Sequence, residues 1–241
     1  MKLILDEGYS FGLGVFETIS VVDNHIVLLE YHLERLKKGI KFLDINVNIT
    51  KEEILNYVKD NPMKNGVLKI IVSENNIVWQ CRQNNYSDDK YKKGFSVGLS
   101  SVIRNETSPF TYIKSLNYGD NIFEKRKASL IGYDEPIFLN TKGQLTEGAT
   151  TNIFFIKNNK IITPELSCGM LDGTIRKYII NKYDVKEKVV YPDEINDFDE
   201  MFLTNSLMGI MPVYKFEDKI FESRKQSDFL LNEYLNIRTC L

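Results

Sequence analysis

Lys114, Glu147 and the run Asp172-Gly173-Thr174-Ile175 are the residues here whose types could carry chemistry. Lys114 ends a polar loop, is flanked by apolar Ile113 and Leu116, and precedes a predicted helix. A lysine partly withdrawn from water has a lowered pKa, so its neutral amine can condense with a carbonyl and move protons. A lysine without such a context is a solvated surface charge. Glu147 follows a turn at Lys142-Gly143 and precedes an apolar strand, where a lone carboxylate reads as a turn-side acid. Asp172 to Ile175 open a predicted helix, whose unpaired N–H groups and positive dipole end favour an anion. Arg35 lies between Leu33 and Leu36, where an arginine either snorkels to water or grips two oxygens of one anion. Arg104, in a polar stretch, is either a ligand for substrate carboxylates or a solvated loop residue. Gly12 and Gly14 mark a tight bend.

The elements that must position these residues alternate in type. Val15 to Val22 is rich in β-branched residues and reads as a strand, with a turn at Asp23-Asn24 leading into a second strand, His25 to Leu28. Leu33, Leu36, Ile40 and Leu43 recur at helical spacing, so a helix is predicted over 30–43. Thr50 and Glu53 form a capping-box pattern that opens another, ending near Asp60. Strands are predicted at 66–73 and 95–102, then a loop or linker at 104–113 with Ser108-Pro109. A helix over 117–131 stops at Gly132. Strands at 137–139, 152–157 and 160–163 precede a helix at 174–182, strands at 185–190 and 200–204, and a last helix at 226–238. The order predicts two α/β domains, a small one at 1–106 and a larger one at 114–241, joined by a linker at 107–113.

Composition excludes several classes of function. A formal net charge of −2 with interspersed signs leaves no basic footprint for nucleic acid. Cys81, Cys168 and Cys240 are far apart and odd in number, which points to a reducing cytoplasm rather than a disulfide framework. Two histidines and no clustered Cys or acid pattern offer no metal ligand set. No window reaches the roughly 18 apolar residues of a membrane helix, and Asp6-Glu7 interrupt the start before a signal core could form.

Taken together, Lys114-Ser-Leu-Asn-Tyr118, Glu147-Gly-Ala-Thr-Thr-Asn152, Leu171-Asp-Gly-Thr-Ile-Arg176, His32-Leu-Glu-Arg35-Leu36 and Phe11-Gly-Leu-Gly-Val-Phe-Glu-Thr18 resemble the fold-type IV (class IV) pyridoxal-phosphate aminotransferases and lyases. The likeness runs from about Asp6 to Val213. It implies a two-domain α/β (α+β) fold, a homodimer and pyridoxal 5′-phosphate as cofactor, bound covalently by Lys114. It further implies Glu147 on the pyridine nitrogen, where a carboxylate keeps the ring protonated and electron-withdrawing. Arg35, Thr174, Ile175 and Ser206 are implied as phosphate ligands and Tyr118 as a partner of the phenolic oxygen. Thr18 is a candidate catalytic hydroxyl, and Arg104 and Asn205 candidate substrate ligands. Asn152 is expected to fix the turn. The family usually writes Gly-Ile-Thr-Arg where this chain has Gly173-Thr-Ile-Arg176, so the hydroxyl comes one residue early.

Three activities occur on this scaffold: branched-chain aminotransferase, D-amino acid aminotransferase and aminodeoxychorismate lyase. The branched-chain enzymes usually carry an acid where this chain has Thr151, and an arginine where it has Ser20. The D-amino acid enzymes use a carboxylate trap that includes a histidine, and His25 and His32 fall in other motifs. Asn65 to Ser73, Phe16-Glu17-Thr18 and Thr204 to Val213 look most like the lyase, so the expected activity is the lyase, acting on a small-molecule substrate. An aminotransferase and a cofactor-free metabolite-binding descendant stay open at this point.

Overall fold

The computed structural model describes residues 2–239, the last without its side chain; Cys240 lies outside that range. It divides into two compact units, Met1–Asn85 with Ile113–Tyr118, and Tyr86–Tyr112 with Gly119–Leu241.

The first unit contains α1 (Glu7–Phe11), β1 (Gly14–Val22), β2 (His25–Ile26), α2 (Leu29–Phe42), α3 (Lys51–Asp60), β3 (Asn65–Ser73) and β4 (Ile77–Gln83). Its antiparallel sheet has the order β2-β1-β3-β4. Asp23 and Asn24 both take positive φ, 47° and 66°, the geometry of a two-residue hairpin turn. Alternation along β1 and β3 turns Val15, Ile19, Leu68, Ile70 and Val72 to one face, where Leu33, Leu36 and Ile40 of α2 and Ile54 and Val58 of α3 complete the core. The capping box forms: Glu53 N–H donates to Thr50 Oγ1 at 3.1 Å, and Thr50 N–H donates back to Glu53 Oε2 at 2.7 Å. Gly12, at φ 74°, makes the bend after α1, and a Cβ on Gly14 would stand 2.8 Å from the Val72 carbonyl oxygen.

Residues 113–118 join this unit along β1. Phe16 N–H donates to the Lys114 carbonyl at 3.0 Å, Leu116 N–H donates to the Gly14 carbonyl at 2.9 Å, and Val15 bridges Ser115. The boundaries expected at 106 and 114 therefore move. Phe95–Arg104, assigned by sequence to the small domain, pairs in parallel with strands of the second unit, and Lys114 belongs to the first. A parallel partner more than a hundred residues away leaves no local trace in sequence.

The second unit runs α4 (Asp88–Lys93), β5 (Phe95–Arg104), α5 (Gly119–Leu130), β6 (Glu135–Asn140), β7 (Leu145–Gly148), β8 (Asn152–Lys157), β9 (Lys160–Pro164), α6 (Thr174–Lys182), β10 (Val185–Lys188), β11 (Glu200–Asn205), β12 (Gly209–Phe216), β13 (Lys219–Ile220) and α7 (Lys225–Thr239). The sheet order is β10-β9-β8-β11-β12-β5-β6-β7, and β7 pairs back to β8 through Glu147 and Asn152. That last pairing closes the strands from β8 to β7 into a ring. Its apolar core includes Val97, Ile137, Leu145, Ile153, Phe155, Leu203, Met211 and Val213. Among the described residues no helix is long and apolar enough to cross a membrane.

Candidate active site

The expected residues sort by unit. The first holds Thr18, Arg35, Lys114 and Tyr118; the second holds Arg104, Glu147, Thr174, Ile175, Asn205 and Ser206.

In the first unit the backbone bond between Phe16 and Lys114 fixes where the lysine leaves the chain. Lys114 is half-buried, and its Nζ lies 4.3 Å from the Phe16 ring centroid and 5.0 Å from that of Tyr118. The two rings meet edge-on at 5.2 Å. Thr18 shares the Phe16 face of β1 by strand alternation.

Glu17, between them, points the other way, into the interface with α2. Its carboxylate accepts from Arg35 Nε and Nη2, both at 2.7 Å, and lies 2.7 Å from His32 Nδ1. Burial pushes the Glu17 carboxyl up, but the guanidinium and the imidazole outweigh it and bring the pKa down to about 2. Burial also lowers His32, more than the Glu17 charge raises it, so the ring is neutral at pH 7 and donates from Nδ1. The two oxygens that Arg35 is seen to grip are thus those of Glu17.

Lys69 is not among the site residues that the sequence motifs imply. It stands opposite Thr18 in the β1–β3 ladder, and its Nζ lies 4.9 Å from the same Phe16 ring. Burial lowers its pKa, helped by the nearby charge of Arg82. The signal available was a lysine inside the otherwise apolar run Val67 to Val72.

In the second unit Glu147 is buried on β7. Its Oε2 accepts from Leu171 N–H at 3.1 Å, and Arg104 Nη2 approaches Oε1 to 3.5 Å. The turn that follows is tied to the fully buried Glu135. Glu135 Oε1 accepts from Thr150 N–H at 2.5 Å, Thr150 Oγ1 at 3.0 Å and Thr151 Oγ1 at 3.1 Å, while Lys125 Nζ donates to Oε2 at 2.7 Å. Asn152 fixes the neighbouring backbone by donating to the Leu171 carbonyl at 2.8 Å, and a Cβ on Gly173 would collide with its Oδ1 at 2.0 Å.

The α6 helix starts at Thr174 behind Gly173, with no side chain capping its first turn. Thr174 and Ile175 are buried there. Arg176 is structural, pairing with Asp172 and Glu187 and donating to the Pro164 carbonyl. Ser206 lies in the turn after β11. Asn205, expected on substrate, closes that turn itself: Oδ1 accepts from Leu207 N–H at 3.0 Å and Met208 N–H at 2.9 Å. Thr204 Oγ1, next to it, is buried without a hydrogen-bond partner.

The sequence profile described as amino-transferase class IV matches residues 14–216. The chain belongs to this family. It is 30% identical over 245 residues to an aminodeoxychorismate lyase of Bacillus subtilis (strain 168), covering 91% of this chain and 83% of the relative. It is 26% identical to a D-alanine aminotransferase of Bacillus licheniformis, with coverages of 91% and 84%. The crystal structure of 4-amino-4-deoxychorismate lyase from Pseudomonas aeruginosa superposes with a TM-score of 0.87 at 22% identity, covering 97% of this chain and 94% of that one, which shows the fold. The chain is an α/β enzyme of the class IV pyridoxal-phosphate family, a lyase or an aminotransferase, and its cofactor is pyridoxal 5′-phosphate. The residues present fit that group. A half-buried amine lies against aromatic rings in one unit, and a buried carboxylate and an uncapped helix start stand in the other.

Proposed function

We propose that the protein is a lyase that converts 4-amino-4-deoxychorismate to p-aminobenzoate and pyruvate. The observation that carries this reading is the environment of Thr151. Its hydroxyl meets the fully buried carboxylate of Glu135, so the acid usual at this position in branched-chain enzymes would bring two carboxylates together. The 30% identity to a relative of that name points the same way.

Lys114 would bind the cofactor covalently, Glu147 would hold its pyridine nitrogen protonated, and the first-turn amides of α6, with Ser206, would take the phosphate. Arg35, aligned by Glu17, would stand near the phosphate, and Tyr118 would take the phenolic oxygen. When bound, the cofactor supplies a ring that absorbs the charge left on a deprotonated carbon. The amine of Lys114 takes the proton from the substrate's amine-bearing ring carbon. Lys114 or the Thr18 hydroxyl then returns a proton to the departing enolpyruvyl group, which leaves as pyruvate while the ring becomes aromatic. Lys69, a half-buried cation on the Phe16–Thr18 face, suits a substrate carboxylate.

The test supplies aminodeoxychorismate alone and follows p-aminobenzoate and pyruvate, beside L- and D-amino acids with 2-oxoglutarate. Equimolar products without an oxo acid are expected. Amino transfer from branched-chain or D-amino acids with no p-aminobenzoate would make the protein an aminotransferase instead.

A further inference from the structure

Arg104 stands at the end of β5, and its guanidinium has three neighbours of different kinds. It stacks on the Phe138 ring at 4.0 Å from the centroid. Nη1 donates to Asn121 Oδ1 at 3.2 Å. Nη2 lies 3.5 Å from Glu147 Oε1, while Nε and Nη2 are buried and form no hydrogen bond. Asn121 is itself tied to the turn after Glu147, since its Nδ2 donates to the Ala149 carbonyl at 2.6 Å. Arg104 therefore touches Glu147 directly and reaches the backbone two residues further on through Asn121.

A substrate-binding arginine would be expected to keep its fork toward water and to lose hydration only when the ligand arrives. Arg104 is already desolvated, packed on an aromatic face beside a buried carboxylate. A buried guanidinium needs a counter-charge, and a buried carboxylate stays ionised only if something offsets its lost hydration. Each supplies what the other lacks. Leu171 N–H bonds Oε2, and the Arg104 cation lies 3.5 Å from Oε1, so each oxygen of Glu147 has a positive neighbour.

We propose that Arg104 is a positioning residue that holds Glu147 ionised and oriented for the pyridine nitrogen of the cofactor, and is not a ligand of the substrate. This rests on the assignment of Glu147 to that nitrogen and differs from both readings of Arg104 open in the sequence, a ligand for substrate carboxylates or a solvated loop residue.

The test compares wild type with Arg104→Met and Arg104→Lys in the cofactor-free protein. The Glu147 carboxyl is followed by carbon NMR of glutamate-labelled protein and assigned by its loss in Glu147→Gln. Removal of the cation is expected to raise the Glu147 midpoint by about one unit or more. Pyridoxal phosphate affinity is expected to fall roughly tenfold, the equivalent of one unit. Arg104→Lys is expected to restore most of the midpoint and less of the affinity, because an ammonium keeps the charge but not the planar fork. If Arg104→Met fails to fold, Arg104→Lys carries the test: affinity equal to wild type overturns the proposal. An unchanged midpoint and affinity with a raised KM for substrate overturns it in favour of a substrate ligand. A shifted midpoint in a protein that binds no pyridoxal phosphate supports the Arg104–Glu147 pair and refutes the reading of Glu147.

Discussion

The two units keep their functional charges in opposite ways. In the first, Glu17, His32 and Arg35 satisfy one another at 2.7 Å inside the interface of a strand and a helix. In the second, buried polar atoms of Arg104 and Thr204 are left without hydrogen bonds around β5, β7 and β11. A network of buried charges that satisfy one another stabilises the elements it joins. A buried polar atom without a hydrogen bond costs about 1–3 kcal/mol. The α2 cluster ties α2 to β1, whose backbone is bonded to that of Lys114, whereas the region of β7 sets a buried carboxylate beside a guanidinium that forms no hydrogen bond to it.

Two substitutions should separate these roles. Glu147→Gln keeps volume and should lower turnover by about 10²–10⁴-fold, with a smaller loss of stability to denaturant than at Glu17, because Arg104 stands at 3.5 Å from Glu147 and forms no hydrogen bond to it. Full activity in this variant would make the carboxylate merely structural and would erase the contrast. Glu17→Gln should do the reverse first. It breaks a buried pair and should cost about 3–5 kcal/mol in the same denaturant experiment.

The same cluster sets an acid limb. His32 is lowered in the folded chain, so the unfolded chain binds the extra proton and stability begins to fall as pH drops below 6.5. Glu17 is lowered from 4.5 to about 2, so its share is intact above 4.5 and is lost between those values. Melting temperatures measured from pH 8 to 2 should show both losses in wild type, and His32→Gln should remove the upper one. A flat profile between pH 7 and 5 in wild type would mean that His32 is not held neutral by its surroundings. A smaller effect is expected on the outer face of β1. Lys69→Met should raise KM for the anionic substrate about tenfold with little change in kcat, and an unchanged KM would return Lys69 to a structural contact with Phe16.

Local signals were legible in the sequence where one element decides the outcome. The Thr50–Glu53 box, the Asp23-Asn24 turn and the α2 periodicity each depend on residues within one or two turns of each other, and each formed. The α6 start was equally local. What escaped depends on distant partners. Ile77–Gln83 pairs only on β3 and exposes much of its surface, so it lacks the apolar alternation of a buried strand. Phe95–Arg104 was recognised as a strand, but its neighbours β6 and β12 lie far along the chain, and with them went the domain boundary. Arg104 was singled out for its charge, yet its role depends on Phe138, Asn121 and Glu147, which only folding brings to it. Asn205 is a substrate candidate by resemblance alone, and the turn that its side chain closes could not be seen without its geometry.

Lys114, held alongside β1 beside Phe16 and Tyr118, is the residue proposed to carry the cofactor. Native protein reconstituted with pyridoxal 5′-phosphate, reduced with borohydride and digested should yield one labelled peptide. The label is expected on Lys114, and none is expected in Lys114→Ala. Stoichiometric label on Lys69, Lys125 or any other lysine, with Lys114 unmodified, would contradict it.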